Sequence, residues 1–144
     1  MDIQTTKEMI DAFHEAKRVW DRLPALPEGI VSSHIITLDA VISLEKEGKD
    51  VCVSDISERM GLPRPGVTRT LNQMEKLGLI DKYDDPTDRR VIRIRPTERS
   101  MALYRKYVEE YMTGLSAKLN GLQEEKIRAM IDTIYAVSEA LKEE

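Results

Sequence analysis

One alternation of elements in the middle of the chain restricts the fold more than any other feature. A short amphipathic stretch from Asp55 to about Met60 is followed by the turn Gly61-Leu62. A second stretch then carries Val67, Leu71 and Met74 on one side, at spacings of four and three, and stops at Leu77-Gly78. Spacings of three and four put side chains on one face of a helix, and glycine ends a helix in the left-handed conformation. Two strand-like runs follow, Leu79 to Tyr83 and Val91 to Arg95, joined by the turn Asp84-Asp85-Pro86-Thr87-Asp88, which predicts a β-hairpin with a long tip. In its second strand Ile92 and Ile94 point one way, Arg93 and Arg95 the other.

Two helices about a tight turn form a helix-turn-helix, and a hairpin appended to it makes a winged helix. The second helix carries Arg64, Thr68, Arg69, Asn72, Gln73 and Lys76 on its outward side, and the hairpin tip carries Asp88, Arg89 and Arg90. An α-helix fits the major groove of DNA, while a hairpin tip can set guanidinium groups against phosphates or in the neighbouring minor groove.

Charge supports this only through its distribution. The 144 residues carry a formal net charge of −4. Ser54 to Pro96 holds nine Lys/Arg against seven Asp/Glu, leaving thirteen against nineteen elsewhere, so the middle is basic relative to its surroundings.

Around this core the pattern is helical. Met9, Phe13, Ala16 and Trp20 share one face of a first helix that ends before Leu23-Pro24, and Ile35, Leu38, Val41 and Ile42 mark a second that ends near Gly48. The run Val51-Cys52-Val53 has strand character, and Ser54 is placed to cap the short helix, whose inward residues are Ile56 and Met60. Thr97 caps a long helix with Met101, Tyr104, Val108, Met112, Leu115 and Leu119 at helical spacing, broken at Asn120-Gly121. Gln123 opens the last helix, whose wide stripe runs through Ile127, Met130, Ile131, Ile134, Val137, Ser138 and Leu141. The expected fold class is mainly α with a small β-hairpin wing. Residues 1–144 make one domain, with a winged-helix core over about 30–96 and dimerisation helices over about 1–22 and 97–144. Terminal helices with such wide faces have too little monomer to cover. A two-fold interface using Met9, Phe13, Ile127, Ile131, Ile134 and Leu141 is therefore expected.

The run VSDISERMGLPRPGVTRTLNQMEKLGLIDKYDDPTDRRVIRIRPTERS resembles the core of MarR-family transcriptional regulators. The resemblance rests on Asp88-Arg89-Arg90 followed by Thr97 and Glu98, on Val67-Thr68-Arg69, and on Glu75-Lys76-Leu77-Gly78-Leu79-Ile80. It implies a homodimer whose paired recognition helices bind a pseudo-palindromic operator, repressing nearby genes until a small aromatic or anionic effector loosens the hold. By position it implies Thr68, Arg69 and Asn72 in the major groove, Arg90 as the wing-tip arginine and Asp88 as its orienting partner. Three features depart from the family pattern. Pro63-Arg64-Pro65 stands where a serine-rich helix start is usual, and Pro96 and Ser100 replace residues usually leucine and glycine. Proline offers neither N–H nor hydroxyl to a phosphate.

Other residues have plainer readings. Arg93 and Arg95 either reach DNA or pair with acids such as Asp81. Cys52, flanked by valines, is expected to be a small buried residue rather than a redox sensor. His14 is read as a surface residue and His34 as a helix-start residue; the family's effector cavity begins near His34, which makes it the candidate effector-pocket residue. Two histidines without matching spacing and a single cysteine point to no metal site and no disulfide. No cofactor is implied, and no nucleophile–base pair or phosphate loop suggests an enzyme. The start, MDIQTTKEMIDAFHEAKRVW, has no secretory pattern and no later stretch approaches a membrane span, so the expected location is cytoplasmic. The competing function is a winged-helix protein-interaction module whose altered helix start no longer grips DNA.

Overall fold

A computed structural model describes residues 1–142. The elements are α1 (Ile3–Asp21), α2 (Ser32–Lys46), α3 (Val53–Met60), α4 (Arg64–Lys76), β1 (Ile80–Asp84), β2 (Ile92–Pro96), α5 (Glu98–Tyr104), α6 (Tyr111–Lys118) and α7 (Glu124–Ala140). The backbone between α5 and α6 is π-helical over Arg105–Glu110 and stays in the right-handed helical region at both joins. The expected long helix therefore exists with a π-helical middle. β1 and β2 pair antiparallel, with Asp81 opposite Arg95 and Tyr83 opposite Arg93. The chain divides into two compact units, Met1–Met101 and the residues from Ala102 on.

The core lies in the first unit. α2 contributes Leu38, Val41, Ile42 and Leu44, α3 Ile56, α4 Val67, Leu71 and Met74, and the hairpin region Leu79, Ile80 and Ile94. Met60, expected inside, is only half-buried because α3 ends there. Gly61 turns the chain out of α3 at φ 63°, where any other L-residue is strained.

The strands begin one residue later than the sequence pattern suggests, and the end of α4 explains it. Gly78 sits at φ 71°, its N–H bonds to the Glu75 carbonyl at 3.0 Å and the Leu79 N–H bonds to the Met74 carbonyl at 2.8 Å. These two bonds are the Schellman closure of a helix. Leu79 thus completes α4 and buries its side chain, so pairing starts at Ile80.

The start of α3 also corrects an expectation. Cys52, not Ser54, is the cap: the Asp55 carboxylate accepts the Cys52 N–H at 3.0 Å, which a residue at the third helical position can do only to a cap three residues earlier. Cys52 forms an isolated bridge with Arg93, while Val53 is already helical. Cys52 is half-buried, not buried as expected, because it lies at this edge rather than within the core. Thr97 precedes α5 as anticipated, and Ser100 completes the cap: the Thr97 N–H donates to Ser100 Oγ at 3.0 Å and the Ser100 N–H to Thr97 Oγ1 at 3.1 Å. Ser100 is fully buried.

Leu38 lies at the centre of the core. Leu38→Ala should lower unfolding free energy by about 2 to 5 kcal/mol through lost burial and a residual cavity, read from the urea midpoint at unchanged slope.

Candidate nucleic-acid interface

The site is built on α4. Because Val67, Leu71 and Met74 are buried, the helix can take only one rotation about its axis, and Arg64, Thr68, Arg69, Asn72, Gln73 and Lys76 are all exposed. Among the described residues no carboxylate pairs with Arg64, Arg69, Lys76 or Arg89. On an acidic chain that is a concentration of unmatched positive charge. Pro63 is the N-cap of α4 and gives no side-chain cap, and Pro65 lies in the first turn, so one of the usual free N–H groups of a helix start is missing.

Two residues of this face are tied to the body of the protein. His34 is 4% exposed. Its Nδ1 accepts the Val31 N–H at 3.2 Å, which places the neutral ring's proton on Nε2, and that N–H donates to Gln73 Oε1 at 3.2 Å. His34 therefore caps α2 and joins it to α4. Both ring nitrogens are engaged, so a polar effector contact at His34 has to displace one of these bonds. On the next position of α4, Lys82 Nζ donates to Asn72 Oδ1 and lies 3.8 Å from Glu75 Oε1. Lys82, in β1, was not singled out from the sequence; strand alternation shows which side it takes but not which helix side chains it meets.

The wing tip is ordered by its acids. The Asp88 carboxylate accepts Arg90 Nε at 3.1 Å and Nη2 at 3.2 Å, and its Oδ1 also accepts the Arg90 backbone N–H at 3.0 Å. These bonds, the side-chain one foremost, hold the Asp88 carboxyl below its ordinary range. The Arg90 side chain is nonetheless 91% exposed, an oriented guanidinium presented to solvent. Asp85 accepts the Thr87 N–H at 3.3 Å, and this bond leads those that lower its carboxyl.

The two strand arginines part company. Arg93 Nη2 donates to Asp85 at 3.1 Å and its Nη1 to the Asp50 carbonyl at 2.5 Å, tying the wing to the segment before α3. Beside it the Ile94 N–H bonds to the Val51 carbonyl at 2.8 Å. Arg95 is exposed, 3.9 Å from Asp81 and 4.9 Å from the centre of the Tyr83 ring. Ile94 is buried as expected; Ile92, nearer the tip, is 43% exposed because the core does not extend beneath it.

Exposed donors on a helix of a size that fits a major groove, beside a hairpin with an aimed arginine, make this winged helix a candidate nucleic-acid face. The family model described as MarR family matches residues 32–91. Over that span the chain is a winged helix similar to the MarR family. Solved structures of MarR-like fold match nearly end to end. FabT of Streptococcus pneumoniae in complex with DNA is 23% identical at TM-score 0.70, covering 98% of this chain and all of that one. PcaV, a transcriptional regulator of Streptomyces coelicolor in complex with its natural ligand, is 21% identical at 0.71, covering 99% and 98%. The S. aureus MepR–DNA complex is 19% identical at 0.64, covering 99% of both.

Arg93→Met should loosen the wing, raising amide exchange across Ile92–Pro96 and lowering the urea midpoint, whereas Arg90→Met should leave both unchanged. Since the Asp85 and Asp88 carboxyls lie lower in the folded protein than in the unfolded chain, their contribution is present above the ordinary aspartate value of about 3.9. It is lost as pH falls through the lower folded values. Exchange measured from neutral to acid pH should show wing protection that holds until that range.

Proposed function

We propose that this chain is a sequence-specific DNA-binding transcriptional regulator. Two copies set their α4 helices in successive major grooves of a pseudo-palindromic operator and their wings against the flanking backbone or minor groove. One observation carries the reading: Arg69, without a carboxylate partner among the described residues, on the exposed face of α4, together with Arg90 aimed by Asp88 on the adjoining wing. Arg64, Thr68, Asn72, Gln73, Lys76 and Arg89 complete the proposed face. FabT and MepR were solved with DNA, which supports this use of the fold.

The homodimer is the second part of the proposal. α1, α6 and α7 have no buried residue, and α7 alone exposes Met130, Ile131, Ile134 and Tyr135, the last at 70%. Apolar surface of this extent on a soluble chain marks an interface, and a two-fold one satisfies both copies with one surface. Met9 and Phe13 of α1 and Ile127 of α7 are half-buried; Ile131, Ile134 and the terminal Leu141 are exposed. All are assigned to that interface.

Action as a repressor released by a small aromatic or anionic effector is the third part. PcaV in complex with its natural ligand supports an effector, with His34 as the nearest candidate contact. No helix among the described residues is long and apolar enough to cross a membrane, which is compatible with work in the cytoplasm. The alternative, a protein-interaction module, gains from the proline start of α4 but leaves Arg69 and Arg90 without a purpose.

Salt titrations on operator and random duplexes decide between these readings. Arg69→Ala should lower operator affinity more than random-duplex affinity, because arginine's two-bond contact to guanine is worth about 1 to 3 kcal/mol of discrimination. Arg90→Ala should weaken both and reduce the salt slope by roughly 1 per lost contact, about 2 per dimer. Asp88→Ala should be a milder version of Arg90→Ala, since it also removes a negative charge near phosphate. A wild type that protects no genomic sequence is an interaction module instead. Separately, Ile134→Asp should dissociate the dimer in light scattering, an unpaired interfacial charge costing roughly 3 to 5 kcal/mol. A wild type already monomeric at micromolar concentration refutes the two-fold arrangement.

A further inference from the structure

The two primary amides on the exposed face of α4 are oriented by their neighbours, and each has its oxygen engaged. Lys82 is a cation with three N–H donors and no acceptor, so what it meets on Asn72 must be the oxygen. The Lys82 side chain is 22% exposed. This mostly covered side chain engages that oxygen from the side of the hairpin. The oxygen is also the engaged atom at Gln73. His34 accepts the Val31 N–H on Nδ1, leaving Nε2 protonated, so Gln73 must offer Oε1, and it offers it inward, to a ring that is 4% exposed. Glu75, the only carboxylate in α4, is 3.8 Å from the same Lys82. The amide oxygens of this face are thus held by Lys82 and His34, while the two NH₂ groups make no hydrogen bond among the described residues.

We propose that the two amides of α4 read DNA as donors only, Asn72 and Gln73 presenting NH₂ groups and Lys82 setting base preference without touching a base. An amide free to rotate pairs with adenine by two bonds, its oxygen accepting from N6 and its nitrogen donating to N7. With its oxygen engaged, the amide cannot make that pair. Its donors suit guanine, whose major-groove edge offers acceptors at both N7 and O6, and adenine's N6 amino group meets no acceptor. Lys82 is a positioning residue, and the inference rests on the DNA-binding reading above.

The test is selection of full-length protein against randomised duplexes, for the wild type and for Asn72→Ala, Lys82→Met and Lys82→Arg. A base position whose preference disappears in Asn72→Ala should favour guanine over adenine in the wild type. In Lys82→Met the same position should move toward adenine, by roughly fivefold or more in relative affinity, while Lys82→Arg, which keeps a cation there, should stay with guanine. Loss of affinity alone, from a damaged wing, leaves the base ratio unmoved. A probe that needs no variant is 7-deazaguanine at that position, which removes N7 and should weaken wild-type binding several-fold. Adenine preferred by the wild type, an unchanged ratio in Lys82→Met, no base position dependent on Asn72, or indifference to 7-deazaguanine each overturns the donor role of the amides. A wild type that selects no duplex overturns the DNA-binding reading beneath it, which is a different result from selecting the wrong base.

Discussion

The rotation of α4 about its own axis governs the rest of the molecule. With 100° between successive residues, burying Val67, Leu71 and Met74 leaves one outward sector, and Arg69, Asn72, Lys76 and their neighbours occupy it. Inserting one residue would turn that sector by the same angle and bury arginine. The core therefore does two things with one set of contacts. It packs α4 with α2 and α3, whose Leu38 and Ile56 are fully buried, and it decides which side chains can meet a ligand.

The wing depends on the same core through a different kind of bond. Ile94 is buried and its N–H is fixed to Val51, and Arg93 adds a tie to Asp50 and Asp85. Acids near the site do not cancel its charge so much as assign it. Asp85 holds Arg93 in a structural role, Asp88 orients Arg90 while leaving it exposed, and Glu75 shares Lys82 with Asn72. That division explains how an acidic chain can keep a cationic face: the carboxylates are placed where they orient arginine and lysine, and among the described residues Arg64, Arg69 and Arg89 have none.

Periodicity made the helices and the inward stripe of α4 legible, because burial repeats every three or four residues whatever the partner is. Gly78 likewise announced the end of α4. Single-residue placements were less accessible. Ser54 is as good a cap by composition as any, but Asp55 reaches back to Cys52 and selects the earlier position. β1 starts at Ile80 because Leu79 closes the helix, which is a matter of backbone bonds and not of side-chain pattern. The roles of His34 and Lys82 depend on contacts between residues 39 and 10 positions apart. The terminal stripes could be seen, yet the surface that covers them belongs to another copy on the proposed reading, and one sequence contains no direct record of it.

The proline start of α4 changes how such a face divides its labour. A helix N-terminus usually offers several N–H groups and a partial positive charge to a phosphate, a hold that comes from the backbone and needs no long side chain. Pro65 removes one of those donors and Pro63 supplies no capping hydroxyl. On the proposed reading the grip on phosphate then shifts to side chains, Arg64 beside the helix start and Arg90 on the wing. Exposed cations hold phosphate mainly through charge, which salt screens, whereas base contacts by Arg69, Asn72 and Gln73 are short-ranged. A weaker backbone grip lowers affinity for every sequence alike, so a larger share of what binding remains comes from the bases. The departure that looks at first like a loss of DNA binding is, on these terms, a shift from affinity toward discrimination.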